Sequence, residues 1–153
     1  MQQLTNDILS VVHPVLHHHA MQALDKLREG ELTKWAAEKW VSAFTGIAVM
    51  SNRKSKPHVD RLASAPWYDM LLTVGTYRCA ELRLPDIGLT FGYDPGAVVA
   101  LCGNTLTHEV GDWGKGDRIC YALFMRKEVL SRFGCQWVGW STQDSCVERE
   151  PWR

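Results

Sequence analysis

Apolar residues near the N-terminus recur with a helical period: Leu4, Ile8, Val11, Val12, Val15 and Leu16, then Met21, Leu24 and Leu27. The spacing predicts helix over 4–28, with Pro14 starting a second helix or kinking the first, and Gly30 as the stop. A further helix is expected over 31–42, with Leu32, Trp35, Ala36 and Trp40 on one stripe. From residue 43 the pattern changes to short apolar runs: 43–50, a run within 67–78, then 80–85, 88–93, 97–103, 105–110 and 118–126. Turn-forming Gly, Pro and Asp separate them, as in Asp94-Pro95-Gly96 and Gly114-Lys115-Gly116-Asp117. Six or seven short strands after a helical pair predict a sandwich or barrel with helices packed on one face. Residues 127–134 read as a short helix stopped by Gly134, and the Trp-rich tail from 135 receives no assignment.

The chain has 153 residues, of which 46% are hydrophobic and 22% charged, which excludes a disordered tail, a collagen-like fibre and a small disulfide scaffold. That length suits a single domain, divided here into helical support (1–42), a strand core (43–126) and a C-terminal helix and tail (127–153). Lys plus Arg (17) balances Asp plus Glu (17), which excludes a strongly basic coat protein but leaves room for a local basic strip. No apolar run approaches the ~20 residues of a membrane span, so no membrane partner is expected. The start, with Asp7 and no positive segment, does not read as a signal peptide. The five cysteines are odd in number and never at C-x-x-C spacing, which argues against a disulfide framework or a cysteine zinc site and for an intracellular setting.

Chemistry gathers around two histidines in the strand-rich part, His58 and His108. In an extended chain residues i and i+2 point the same way, so His58 and Asp60 present an imidazole and a carboxylate together. With His108 they make up the two-histidine, one-carboxylate set of non-haem Fe(II) oxygenases, which leaves metal positions open for O2 and a co-substrate. Arg118 follows ten residues after His108, an excursion through a turn and into the neighbouring strand that would bring a guanidinium beside the metal. There it could grip a carboxylate with two hydrogen bonds. A ligand chelating iron at one end and reaching Arg118 at the other describes 2-oxoglutarate. The blander reading makes His58 a surface-loop histidine and His108 a satisfied core one; the Arg118 spacing weighs against it.

Together Ser51-Asn52-Arg53, His58-Val59-Asp60, Trp67-Tyr68-Asp69, Leu84-Pro85, Ile87-Gly88, Tyr93-Asp94-Pro95-Gly96, Leu106-Thr107-His108-Glu109-Val110, Asp117-Arg118-Ile119-Cys120 and Phe124-Met125-Arg126 resemble the TET/J-binding-protein oxygenase domain. The likeness is to the short versions that accompany transposons in mushroom-forming fungi, and it spans roughly Ile47–Arg126. It implies an α+β chain built on a double-stranded β-helix (a cupin-like jelly roll). It also implies Fe(II), 2-oxoglutarate and O2, oxidation of a methylated base in DNA such as 5-methylcytosine, and a nuclear place of work. By position His58, Asp60 and His108 take the iron-ligand and catalytic roles and Arg118 the 2-oxoglutarate role. Val59 stands where the family often has Arg, which puts base contacts in doubt.

Around this set, Asn52 and Arg53 are candidates to reach the pocket, Arg53 toward 2-oxoglutarate, a phosphate or the base. Trp67, Tyr68 and Asp69 are candidates to line the entrance, and Tyr121 to touch substrate. Arg53, Lys54, Lys56 and Arg61 make the loop 52–61 a candidate phosphate-binding strip. His13, His17, His18 and His19 read as an exposed polar helix start rather than a metal site. Two other readings stay open: the same chemistry on an N-methylated base or RNA, and a non-catalytic cupin-like binding module. No protein partner is implied.

Overall fold

The structure, a computed structural model, describes residues 1–135 and 138–147, so parts of the C-terminal tail (136–137 and 148–153) lie outside the described residues. The chain divides into two compact units: Met1–Thr45 with Met125–Arg153, and Gly46–Phe124.

In the first unit α1 (Gln2–Val12) and α2 (Pro14–Glu29) break at His13, with Pro14 in the first turn of α2, where its missing N–H costs nothing. Leu16 and Leu24 of the expected stripe are buried, whereas Leu4, Val11 and Val15 are exposed; Leu9, Ala20 and Ala23 complete the buried face instead. Gly30 ends α2. The helix expected over 31–42 shrinks to α3 (Lys34–Ala37). Its expected stripe finds no cover, since Leu32 is 91% and Trp35 67% exposed, and so few residues gain little from propensity alone. Local bonds claim the flanks instead. Thr33 Oγ1 donates to the Leu27 carbonyl at 2.6 Å and Trp40 Nε1 to the Phe44 carbonyl at 2.8 Å. Asn6 clamps the following segment, donating to the Val41 carbonyl and accepting from the Ala43 N–H. Helix α4 (Lys127–Arg132) matches the expected short helix, and α5 (Gln143–Val147) lies in the unassigned tail.

The second unit consists of eight antiparallel strands: β1 (Gly46–Ser51), β2 (Ser55–His58), β3 (Asp69–Gly75), β4 (Glu81–Leu84), β5 (Leu89–Gly92), β6 (Val98–Leu101), β7 (His108–Val110) and β8 (Arg118–Phe124). They form two four-stranded sheets, ordered β1-β8-β3-β6 and β2-β7-β4-β5. Consecutive strands alternate between the sheets in most places, which is the arrangement of a double-stranded β-helix. The core lies between the sheets, with Leu71 and Leu101 from one, Leu82, Leu84 and Val110 from the other, and Tyr77, Tyr93 and Trp113 from loops. Strand β2 is absent from the apolar pattern because its sequence is Ser-Lys-Pro-His and three of its four residues are exposed. It sits at a sheet edge, where Pro57 removes no necessary ladder bond.

Candidate metal and carboxylate site

The β2–β7 pairing sets His58 directly opposite His108, past an irregularity between Ser55 and His58. Their rings lie 4.3 Å apart at 48°. Asp60 follows just beyond β2. Its N–H donates to the Gly103 carbonyl at 2.8 Å, and Asn104 Nδ2 donates to the Asp60 carbonyl at 3.2 Å, so the turn after β6 fixes the carboxylate. Asp60 Oδ1 is 3.8 Å from His58 Nε2, and Oδ2 is 3.6 Å from His108 Nε2. The three ligand atoms all lie within 4.8 Å of one another, and among the described residues no other His, Cys, Asp and Glu side chains cluster this way.

The other ring nitrogens define the tautomer. His58 Nδ1 lies 2.8 Å from the Lys56 carbonyl and His108 Nδ1 3.0 Å from the Leu106 carbonyl. A carbonyl can only accept, so each Nδ1 carries the proton and donates, which leaves the Nε2 lone pair of each neutral ring toward Asp60. Two lone pairs facing a carboxylate at distances too long for hydrogen bonds suit a divalent cation, and backbone-tied Nδ1–H groups are the usual support of metal-binding histidines. The donor set therefore fits Fe(II).

Gly103 is required here for space. A Cβ on it would lie 2.7 Å from an Asp60 oxygen and 2.8 Å from an oxygen of the buried Asp69. Asp69 thus approaches the same turn from the start of β3. Burial first, and Asp69's charge second, push the neighbouring Cys102 thiol up to about 11.

Arg118 opens β8, in the sheet opposite that of His108, rather than a strand beside β7. It pairs with Gly75 of β3, whose φ of +141° and near contact with the Asp117 carbonyl both exclude a side chain. Arg118 is 3% exposed. Its guanidinium carbon stands 5.1 Å from the Tyr93 ring centre, 5.6 Å from Trp113 and 6.0 Å from Tyr77. Nη1 donates to the Arg53 carbonyl at 3.3 Å, whereas Nε is buried without a partner. An orphaned, forked donor fits an incoming carboxylate, the group that 2-oxoglutarate would bring.

The remaining candidates take other places. Asn52, in the left-handed region at φ +50°, is spent on its neighbours, since its Oδ1 accepts from the Arg118 backbone N–H at 2.7 Å and its Nδ2 donates to the Asp117 carboxylate at 2.8 Å. Arg53 contributes its carbonyl while its side chain is exposed. Trp67 is buried and Tyr68 half-buried. Tyr121 lies an odd number of residues from Arg118 on one strand and so points to the opposite face, whereas Ala122 packs on the core. Lys54 is paired with Asp112 at 2.6 Å, and that bond holds the Asp112 carboxyl below its usual range, which leaves Arg53, Lys56 and Arg61 as the exposed cations of the loop. His13 is not on an exposed helix start; it is buried, with Nε2 3.0 Å from the Gly139 carbonyl. Sequence reasoning missed Tyr77, Tyr93, Trp113 and Gly103. Trp113, midway between His108 and Arg118, was the one with a positional signal.

The family model described as the oxygenase domain of the 2OGFeDO superfamily, Tet_JBP, matches residues 1–127. Among solved structures, NgTET1 in complex with 5mC DNA matches at TM-score 0.55 and 21% identity, over 80% of this chain and 47% of that one. The chain therefore spans about half of that protein's length, and the likeness is one of fold. A Cupin 2 conserved barrel domain protein from Salinispora arenicola matches at TM-score 0.42 and 18% identity, over 62% of this chain and 76% of that one. No curated protein sequence matches.

Proposed function

The chain belongs to the Tet_JBP family, the oxygenase domain of the 2OGFeDO superfamily, and from that premise we propose that it oxidises a methylated base in DNA, 5-methylcytosine first, using Fe(II), 2-oxoglutarate and O2. The observation that carries the reading is the convergence of His58, Asp60 and His108, with both Nε2 atoms turned to one carboxylate. The 5mC DNA bound to NgTET1 supports the choice of substrate. A DNA substrate also implies a nuclear place of work.

In this reading His58, Asp60 and His108 hold the metal by one face and leave the rest of its coordination to co-substrates. The Lys56 and Leu106 carbonyls keep each imidazole in the ligating tautomer. Arg118 takes the far carboxylate of 2-oxoglutarate, and the rings of Tyr77, Tyr93 and Trp113 keep water from it. Fe(II) with its bound co-substrates supplies the oxidising chemistry, which no side chain here can provide. The half-exposed side of His58 and Asp60 is where a base arrives, and a duplex base must leave its stack to do so. Arg53, Lys56 and Arg61 then lie where phosphates can be neutralised.

The test is succinate release in air and without oxygen, with Fe(II), 2-oxoglutarate and methylated duplex DNA, while nucleosides are followed by mass spectrometry. Oxygen-dependent succinate with loss of 5-methylcytosine is expected. Oxygen-dependent succinate without base change moves the substrate to an N-methylated base or RNA. No succinate from a folded, iron-holding chain rejects the enzyme reading in favour of a binding module.

A further inference from the structure

Arg118 is a buried cation without an anionic partner: among the described residues no carboxylate lies within ion-pair distance of it. Buried arginines are ordinarily paired, because an uncompensated charge out of water is costly. Three ring faces supply the compensation here, at 5.1, 5.6 and 6.0 Å. A ring face attracts the cation without consuming an N–H donor.

The rings are themselves held by their polar ends. Tyr77 Oη donates to the Tyr93 carbonyl at 2.7 Å and lies 2.6 Å from Thr73 Oγ1, and Trp113 Nε1 donates to the Gly116 carbonyl at 3.1 Å. On the guanidinium itself only Nη1 is engaged, by the Arg53 carbonyl. Nε–H and one Nη2–H point together along the opposite edge of the fork, and neither has a partner in the structure. That edge matches the two oxygens of a carboxylate.

We propose that Tyr93 and Trp113, with Tyr77, are positioning residues that preset the Arg118 guanidinium so that its Nε–Nη2 edge stays free for the far carboxylate of the co-substrate. The proposal rests on the dioxygenase reading above and adds which residues hold the guanidinium in its receiving orientation. A 2-oxo acid with one carboxylate leaves the edge unpaired, and sites with unpaired buried donors discriminate strongly against the ligand that lacks the acceptor.

The experiment titrates the full chain loaded with Mn(II) with 2-oxoglutarate and with pyruvate by calorimetry, and follows Mn(II) binding separately by electron paramagnetic resonance. The wild-type chain should prefer 2-oxoglutarate by at least about a hundredfold. Trp113→Leu and Tyr93→Leu should weaken 2-oxoglutarate binding about tenfold, leave pyruvate and Mn(II) binding unchanged, and be rescued by Trp113→Phe and Tyr93→Phe. Leucine variants that fold and bind 2-oxoglutarate as the wild type does, or lose both acids equally, overturn the proposal. Arg118→Lys keeps a cation among the rings but removes the Nε–Nη2 edge, so it should abolish the preference even if the leucine variants do not fold; an unchanged preference also overturns the proposal. A wild-type chain that holds Mn(II) and binds neither acid rejects the dioxygenase reading itself.

Discussion

The side chains of His58 and Asp60 are 43% and 44% exposed, whereas Arg118 is 3% exposed. The first cluster can stand solvated when nothing is bound, because water meets the half-open imidazole and carboxylate. The second cannot: Nε is buried and has no acceptor among the described residues, and a buried donor left unmade costs about 1–3 kcal/mol. One region is therefore organised for exchange with the outside, and the other holds a cation ready for one kind of anion. Edge strand β2 makes the first region open, and the loop aromatics make the second closed.

The largest effect expected is on the open side. His58→Ala or Asp60→Ala should take 2-oxoglutarate turnover below detection and weaken metal binding more than the ~10–100-fold typical of losing an outer partner. Succinate release together with Mn(II) titration checks this, and retained turnover in either variant refutes the ligand assignment. On the closed side, Arg118→Leu should cost about a hundredfold in 2-oxoglutarate affinity, through two charge-assisted hydrogen bonds. The same variant should leave the ligand-free chain about as thermally stable as the wild type, because the lost attraction of the rings for the cation is offset by removing the unmade Nε–H donor and the cost of burying the charge. A fall in its melting temperature would show that the rings hold Arg118 for stability.

Gly103→Ala sharpens the comparison with less force. The new methyl would press on the Asp60 and Asp69 oxygens, so metal affinity should drop about tenfold, in the range of lost support around a ligand, while 2-oxoglutarate recognition through Arg118 is spared. Competition between Mn(II) and a chelator measures it. The smallest effect concerns Asp86, which accepts a 2.6 Å bond from the Thr107 N–H, next to His108. That bond holds the Asp86 carboxyl below the ordinary range. Its stabilisation is present above the unfolded value of about 4 and is lost as pH falls through the lower folded value. Asp86→Asn should flatten the acid side of a melting-temperature profile slightly and leave the neutral side unchanged.

Period-2 and period-3.6 patterns work where burial alternates regularly. They locate β3, β4, β6 and β8, as well as the extent of α1 and α2, though the buried face of those helices is made by Leu9, Leu16, Ala20, Ala23 and Leu24 while Leu4, Val11 and Val15 stay exposed. They fail at Ser55–His58, where the strand is polar and held by backbone pairing with β7, and at 31–42, where Leu32 and Trp35 of a plausible stripe are left in water. The same limit explains Tyr121. Its strand is recognisable, but which face looks inward depends on which residues the neighbouring strands put opposite it.

Residue type and spacing alone picked out His58, Asp60, His108 and Arg118 as a chemical set, because few combinations of side chains suit a metal and a carboxylate, and local chain geometry links His58 to Asp60. The helix–strand order along the chain was likewise readable, because it is written in local periodicity. Only the tertiary structure decided that β7 and β8 belong to opposite sheets, that the Lys56 and Leu106 carbonyls turn both Nε2 atoms toward Asp60, and that Tyr77, Tyr93 and Trp113 surround Arg118. Those outcomes depend on strand register and on loops from distant parts of the chain meeting in one core, and neither leaves a local trace in the sequence.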